Sequence, residues 1–304
     1  MSDALTAFVS RELKAPLLAA TADAAHQVAR RLGGVAVLFY GSILRTGELD
    51  GVLDFYVLTQ EARKSGLHAV ASRWLWPDVS FHEMRVGDFR LRAKVATMPL
   101  ATFEQAASGS MIDTTIWTRF VQPAALAWTQ NADVERRVVE AVSSAAMTAS
   151  RFAAVIGPVE GLPNEYWKAL FRETYRAELR VEPPGRESQI LAHDPDRYAT
   201  LLPIAWVAGG IAFERTGTAV MPNLTFGDTR HILQSWMTRA RMGKALNLAR
   251  LVKATFSFEG AARYGLWKIE RHTGIHIPLT PWRERHPLLA APAVLWRVFR
   301  SAPH

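Results

Sequence analysis

The sequence predicts a mixed α/β chain of the α+β type: an N-terminal α/β domain, then a mostly helical domain, then a basic C-terminal segment. Two apolar, β-prone runs lie at residues 35–42 and 52–59, and unbroken apolar runs of this length are typical of strands buried on both faces. From about residue 100 onward the apolar residues recur at helical spacing. The charge is concentrated at the C-terminal end, where residues 229–304 carry 13 basic and 3 acidic side chains.

The first hundred residues predict a helix, two strands, a second helix and a hairpin. Residues 16–32 fit an amphipathic helix that ends at Gly33 and Gly34, since glycine readily takes the positive φ that closes a helix. The two apolar strands follow, with a turn-rich stretch between them. Residues 78–86 and 89–98 predict a β-hairpin, because Gly87 and Asp88 separate two β-prone runs.

The remainder of the chain reads as helices. Residues 112–128, 134–157 and 164–182 follow the helical period, and Pro158 and Pro163 interrupt it. The charged residues of 164–182 indicate either a solvated surface or a polar wall beside a cleft. We predict three regions: an α/β domain at 1–130, a helical domain at 131–238 and a basic amphipathic segment at 239–304.

Composition excludes several classes of protein. The 304 residues include no cysteine, so neither a disulfide nor a thiolate metal site can form. The longest uncharged run, residues 198–213, would span about 24 Å as a helix, which is less than the roughly 30 Å of a bilayer core, and we predict a buried helix there. The charged residues 1–14 predict no export signal, and the nine histidines are not spaced as zinc ligands.

A glycine–serine pair and a later aspartate form the pattern that points to chemistry. Gly41 and Ser42 end the first apolar run, and Asp54 opens the second. Glycine at such a turn lets the backbone approach a phosphate, and the serine hydroxyl can donate to phosphate oxygens. A carboxylate on the neighbouring strand can hold Mg²⁺, which bridges those oxygens. The pattern favours nucleotidyl transfer; the alternative is a tight turn and an aspartate that caps a strand end.

Several cations could serve the same site. Arg90, Arg92 and Lys94 alternate onto one face of the strand at 89–98, where each could add a charge-assisted hydrogen bond to a triphosphate. The alternative is an exposed edge face protected by charge. Arg119 lies in an otherwise apolar helix and needs a carboxylate or a phosphate if it is buried. A phosphate clamp and a structural ion pair both remain open for Arg119.

These residues resemble the motifs of the nucleotidyltransferase superfamily and, within it, of the mitochondrial-type phosphatidate cytidylyltransferases. The resemblance covers residues 35–130, and the matching positions are Tyr40-Gly41-Ser42, Leu53-Asp54-Phe55, Lys94 within the run RAKVA, and Arg119 followed by Pro123. It implies a nucleotidyltransferase-fold domain with a mixed β-sheet and dependence on Mg²⁺. It also implies phosphatidate cytidylyltransferase activity, which transfers CMP from CTP to phosphatidic acid and yields CDP-diacylglycerol and pyrophosphate.

Together, the residues and the resemblance predict the roles in the site. Asp54 and Lys94 are the candidate catalytic residues, and the nucleotide-binding candidates are Tyr40, Gly41, Ser42, Arg92 and Arg119.

The second metal ligand is the least constrained part of this prediction. Most of the superfamily carries Asp-x-Asp, but Tyr56 occupies the second place here. We expect Glu83 to complete the metal site with Asp54, on the assumption that the strand at 78–86 runs beside the strand of Asp54. Glu48 and Asp50 are the alternatives, and a purely structural role is open for Glu83.

The basic segment predicts a partner for the C-terminal end. Residues 239–258 interleave cations with apolar side chains at helical spacing, as helices on anionic bilayers do. The cations assigned to this surface are Arg241, Lys244, Arg250 and Lys253, and the candidate interfacial anchors are Trp282, Trp296 and Phe299. We therefore expect a cytoplasmic protein, peripheral on the cytoplasmic face of a membrane. The alternatives are packing against the rest of the protein and binding of nucleic acid, which no further motif supports.

The expected function is thus CTP-dependent synthesis of CDP-diacylglycerol in phospholipid biosynthesis. Two other functions stay open. One is nucleotidyl transfer to a soluble or polymeric acceptor. The other is a catalytically decayed nucleotide-binding membrane scaffold, which the tyrosine at position 56 would permit.

Overall fold

The computed structural model describes residues 3–47, 51–61, 75–178, 185–258, 260–273, 275–285 and 289–290. It has a five-stranded mixed sheet followed by helical segments, which confirms the mixed α+β fold class. Glu48, Asp50, Trp296 and Phe299, on which parts of the sequence-based predictions rest, lie outside the described residues.

The strands form one main sheet and one small hairpin. Those of the main sheet are β1 (Gly34–Tyr40), β2 (Leu53–Thr59), β3 (Asp78–Val86), β4 (Phe89–Pro99) and β5 (Ala124–Thr129). They lie in the order β3-β4-β2-β1-β5. Strands β2 and β4 are parallel, and the other neighbours are antiparallel. The small hairpin consists of β6 (Ala212–Thr216) and β7 (Ala219–Asn223).

Helices cover both faces of the sheet and make up most of the second half of the chain. In the N-terminal half they are α1 (Asp3–Leu13), α2 (Ala19–Leu32), α3 (Ser42–Thr46), α4 (Leu100–Ala107), α5 (Thr115–Phe120) and α6 (Ala132–Ile156). The later helices are α7 (Pro163–Ala177), α8 (Arg186–His193), α9 (Pro195–Ala208), α10 (Phe226–Ser257), α11 (Ala261–Thr273) and α12 (Pro281–Arg285).

Strand β1 is buried on both faces, as its unbroken apolar sequence predicts. Gly33 has φ 63° and closes α2 immediately before the strand. Val37 and Phe39 pack in the core under α2, whereas Leu38 and Tyr40 pack in the core formed with α5 and α6. The alternation of a strand thus sends successive side chains into two different cores.

The prediction of one helix over residues 112–128 is wrong. Helix α5 ends at Phe120, and β5 begins at Ala124 and pairs with β1. Pro123 between them cannot continue a helix. Without β5, one edge of β1 would leave its backbone groups unpaired, so pairing in the sheet overrides the local helical period.

The uncharged run at 198–213 forms a buried helix over only part of its length. Helix α9 ends at Ala208, and β6 begins at Ala212 after Gly209 and Gly210. Gly210 has φ 74°, a conformation that suits a helix end. Among the described residues, no helix is both long and apolar enough to cross a membrane.

One hydrophobic core extends from the sheet into the helical region. It includes Leu38 of β1, Phe152 of α6, Trp167 of α7 and Trp236 of α10. The predicted boundary after residue 130 lies between β5 and α6, and the boundary after residue 238 lies within α10. The division into domains stays a prediction.

Helix α10 is anchored to the protein by cations. Arg239 donates to the carbonyls of Gly109 and Met111 at 2.6 and 2.9 Å. Arg250 forms an ion pair with Asp113, and Lys253 forms one with Asp78 at 2.6 Å. Arg250 and Lys253 therefore face the protein, which corrects their assignment to a membrane-facing surface.

Candidate functional site

Three adjacent strands bring the predicted site residues side by side. Tyr40, the last residue of β1, lies opposite Asp54 in the antiparallel pair β1–β2. Asp54 in turn lies beside Lys94 in the parallel pair β2–β4. The glycine–serine turn, the aspartate and the lysine thus meet at one edge of the sheet, although up to 53 positions separate them in the sequence.

Gly41 is required at this turn for two independent reasons. Its φ is +95°, which L side chains rarely adopt. A Cβ atom at this position would also lie 2.6 Å from Oδ2 of Asp54. The absence of a side chain therefore lets the backbone pass directly over the carboxylate, and Ser42 begins α3 immediately afterwards.

An open cleft of about 360 Å³ lies over this edge of the sheet. Its walls come from both halves of the chain and consist of Tyr40, Gly41, Ser42, Arg45, Asp54, Lys94, Arg119, Gln122, Pro123, Tyr175 and Ile190. The cleft has the size of a pocket for a small molecule. The structure therefore brings together six of the eight residues that the sequence predicts for the site.

The Asp54 carboxylate is surrounded by cations. Burial raises the pKa of Asp54 above its ordinary value, and Lys94, Arg119 and Arg45 oppose this effect. These three cations and one carboxylate line the same cleft, which is consequently electropositive. A ligand that carries several negative charges would complement it.

Arg119 has the environment of an anion-binding side chain. Its Cζ atom lies 4.8 Å from the centroid of the Tyr40 ring, so the aromatic face holds the guanidinium in place. Its buried Nε has no hydrogen-bond partner. Among the described residues, no carboxylate lies at ion-pair distance from Arg119. This geometry favours a phosphate clamp over a structural ion pair.

Outside the segment from Arg119 to Pro123, sequence reasoning missed two residues of the cleft and left a third open. Arg45 follows Ser42 by one turn of α3, so its spacing of three residues was a usable signal. Ile190 of α8 carries no local signal, since only the packing of the helical region brings it to the cleft. Tyr175 belongs to the helix considered as a polar wall, and it does line the cleft. Its neighbours Glu173 and Arg176 instead form a surface ion pair.

Glu83 and Arg92 do not reach this cleft, which corrects two of the predictions. Strand β3 pairs with β4 and not with β2, and Glu83 lies opposite Arg92. The Glu83 carboxylate is shared by Arg90, Arg92 and Arg263. Glu83 and Arg92 both line a second cavity. The expectation failed because β4 lies between Glu83 and the strand of Asp54.

Tyr56, at the second position of the superfamily's Asp-x-Asp, does not line the cleft either. It is 1% exposed and packs against Tyr40, Phe103 and Phe120. In the described part of the chain, no three acidic or histidine side chains form a cluster that could hold a metal ion. Asp54 is therefore the carboxylate that the cleft offers to a cation.

The chain was compared with models of known protein families and with curated proteins. No family model and no curated protein matches it. The functional interpretation rests on the geometry of the cleft and on the resemblance of its motifs.

The close approach of Gly41 and Asp54 predicts a specific effect of Gly41→Ala. We expect a loss of stability of about 1–3 kcal/mol, because the new methyl group meets the carboxylate and the backbone keeps a positive φ. The motif resemblance implies binding of Mg²⁺-CTP in the cleft, and on that expectation displacement of Asp54 should abolish the binding, measured by isothermal titration calorimetry.

The control for this variant is Gly87→Ala, in the β3–β4 hairpin. Gly87 also has a positive φ, 56°, but no atom lies within 4 Å of the position that a Cβ atom would take there. Gly87→Ala should destabilise the fold through backbone strain alone and leave nucleotide binding intact. Equal nucleotide binding by the two variants would contradict the role given to the Gly41 contact.

The raised pKa of Asp54 predicts how its charge affects stability. Burial disfavours the ionised carboxylate in the ligand-free fold. The resulting penalty is fully present above the folded-state pKa, shrinks as the pH falls below it and is gone below the lower pKa of the unfolded chain. Asp54→Asn should therefore raise the melting temperature near neutral pH, and the gain should shrink in acid. Differential scanning calorimetry across this range tests the prediction, with the exposed Asp88→Asn as control. A lower melting temperature of Asp54→Asn near neutral pH would contradict it.

Proposed function

We propose that the protein is a nucleotidyltransferase, and specifically a phosphatidate cytidylyltransferase that transfers CMP from CTP to phosphatidic acid. The observation that carries the proposal is the cleft in which Asp54 lies under the Gly41 turn and among three cations. A triphosphate with a divalent ion combines several negative charges with a ligand for a carboxylate, and it therefore matches the charges of this cleft. The choice of CTP and phosphatidic acid follows the motif resemblance.

The residues of the cleft fit a magnesium ion that arrives with the nucleotide. Mg²⁺ is commonly held by one or two carboxylates together with substrate phosphates, and it keeps several waters. Asp54 supplies one such carboxylate, and the missing side chain of Gly41 leaves room beside its Oδ2 atom. When bound, Mg²⁺ would neutralise charge on the phosphate oxygens.

The reaction needs positioning more than acid–base chemistry. An oxygen of the acceptor phosphate attacks the α-phosphorus of CTP and forms a new P–O–P bond. The bond from the α-phosphorus to the oxygen that bridges to the β-phosphorus breaks, and its electron pair leaves with pyrophosphate. A phosphate monoester, with its second pKa near 6, is largely ionised at neutral pH. No general base is therefore required, and catalysis comes from orientation and charge stabilisation.

The cations of the cleft take complementary parts in this step. Lys94, beside Asp54 in the sheet, would neutralise charge that develops on the transferred phosphoryl group. Arg119, held against the Tyr40 ring, would clamp a phosphate with two parallel N–H groups. Ser42 can donate its hydroxyl to another phosphate oxygen.

A peripheral position on the cytoplasmic face of a membrane is part of the proposal, and one face of α10 supports it. Met237, Arg241, Lys244, Leu248 and Val252 recur every three or four residues and are exposed. Residues at this spacing share one side of a helix. Exposed apolar and cationic side chains on a common face suit an anionic lipid surface.

A second candidate function is nucleotide binding without catalysis. It is supported by the cleft lining, where Asp54 is the one carboxylate among the described residues, and by the buried Tyr56, which occupies the second acidic position of the superfamily. Transfer to a soluble or polymeric acceptor is the other alternative, and the cleft geometry does not favour it over a lipid.

Incubation with CTP, Mg²⁺ and vesicles that contain phosphatidic acid tests the proposal. Mass spectrometry should detect CDP-diacylglycerol with the wild type, and Asp54→Asn should lower the rate about a hundredfold or more, because the carboxylate that fits the cation is lost. Asp88→Asn, an exposed carboxylate in the β3–β4 hairpin, should keep the wild-type rate.

Three other outcomes would contradict the proposed mechanism, acceptor or activity. Undiminished turnover in Asp54→Asn would remove the mechanism. Transfer of labelled CMP to a soluble or polymeric acceptor would favour the related activity. Binding of Mg²⁺-CTP with no transfer to any acceptor would favour the decayed, non-catalytic function.

A further inference from the structure

A second cavity lies on the same side of the sheet, between the β3–β4 hairpin and α11. Its volume is about 450 Å³, and its lining combines charged and apolar side chains: Glu83, Arg90, Arg92, Arg263, Leu266, Trp267, Glu270, His276, Ile277 and Leu279. The nucleotide-binding proposal does not use this cavity.

Two arginines of the second cavity, Arg90 and Arg92, make only long contacts with the Glu83 carboxylate. Nitrogen atoms of Arg90, Arg92 and Arg263 lie 3.3, 3.5 and 3.7 Å from the Glu83 carboxylate, whereas strong charge-assisted hydrogen bonds are about 2.7–2.9 Å long. The buried Nε of Arg92 has no hydrogen-bond partner. Arg263 also forms an ion pair with Glu284 at 2.7 Å. Among the described residues, Arg90 and Arg92 therefore meet a carboxylate only at long range, and their donors remain for another anion.

Aromatic contacts hold this arrangement in place. The Cζ atoms of Arg92 and Arg271 each lie 5.4 Å from the centroid of the Trp267 ring, and Trp267 also stacks with Phe81. Cation–π contacts of this kind fix the orientation of a guanidinium. Since the Arg92 guanidinium is already oriented, an anion would lose little free energy in ordering it.

The second cavity adjoins the cleft of Asp54. Arg92 precedes Lys94 by two residues on β4, so the two side chains share a face and their Cα atoms lie roughly 6–7 Å apart. Helix α11 connects the two sites as well. Tyr264 packs on Phe81, the β3 partner of Lys94, and Trp267, one turn later, lines the second cavity.

We propose that the second cavity binds the phosphate monoester of the acceptor, with Arg90, Arg92 and Arg263 as its ligands. This inference rests on the proposed nucleotidyl transfer, because it names the place of the attacking group in that reaction. A phosphate monoester carries close to two charges and three acceptor oxygens, which suits three guanidinium groups. The site also explains why Arg92, on the face of Lys94, does not line the nucleotide cleft.

The apolar part of the lining is consistent with an acceptor that carries more than a phosphate. Leu266, Ile277 and Leu279 lie in the same cavity as the arginines. The phosphate could belong to a lipid headgroup or to a soluble monoester, since the arginines recognise the same group in both. Dioctanoyl phosphatidic acid and glycerol 3-phosphate represent these two sources.

The test measures binding of each phosphate probe to the full chain by isothermal titration calorimetry without nucleotide. Arg92→Gln and Arg263→Gln should each weaken binding of the phosphate probe about tenfold, because each removes a charge-assisted contact. Both should bind Mg²⁺-CTP within about twofold of the wild type. Arg30→Gln, an exposed arginine on α2, is the matched control and should change neither affinity.

A third variant, at an exposed arginine, separates loss of binding from misfolding. Arg90 has a 72% exposed side chain, so Arg90→Gln should fold normally, as circular dichroism can verify, and should weaken the phosphate probe in the same direction. Arginine-dependent binding of either probe supports the site. Binding of one probe alone also identifies the source of the phosphate, whereas binding of both shows that the site recognises the monoester itself. Phosphate binding that is unchanged in all three variants overturns it. If Arg92→Gln weakened phosphate binding and CTP binding equally, the proposal would also be overturned. Arg92 would then be a nucleotide-binding residue, as the sequence analysis predicted.

Failure of this inference can be told apart from failure of the proposed function. Absence of CMP transfer by the wild type, with arginine-dependent phosphate binding intact, would refute the activity and leave the anion site. If the wild type transferred CMP and Arg92→Gln had an unchanged KM for the acceptor, the phosphate site would be refuted and the proposed activity would stand.

Discussion

The Asp54 carboxylate and the Gly41 backbone approach so closely that no side chain fits between them, and the cleft is arranged around this contact. The contact exists because β1 and β2 pair antiparallel with Tyr40 opposite Asp54. It places a partly buried carboxylate, whose ionisation is less favourable than in water, beside the backbone of the Gly41 turn. A bound cation would stabilise the ionised carboxylate, so the ligand-free site carries a cost in stability that binding of a cation would recover.

The parts of the fold that local sequence determines were predictable. The apolar runs, the hairpin glycine and the glycine–serine turn indicated β1 to β4 because burial on both faces and tight turns constrain nearby residues. Strand order was not predictable, since no local pattern states that β4 lies between β2 and β3. For this reason Glu83 was assigned to a metal site that it does not reach. Asp54 and Lys94 were linked by the motif resemblance and not by strand order, and they lie side by side in the pair β2–β4.

The C-terminal helices show why the pattern of charges alone was insufficient. Arg250 and Lys253 contact the protein, whereas Arg241 and Lys244 are exposed on the other side of α10. Helix α11 then closes over β3 and β4 and completes the arginine-lined cavity beside the cleft. Basic residues of one segment therefore divide into structural anchors, candidate lipid contacts and a candidate phosphate site, and only tertiary packing distinguishes the three.

A crystal structure of the full chain with CTP and Mg²⁺ would test the central claim most directly. We expect the triphosphate in the cleft, with its oxygens near Ser42, Lys94 and Arg119 and with the cation bound by Asp54. A nucleotide bound elsewhere on the chain, or a cleft that stays empty at saturating CTP, would contradict this account.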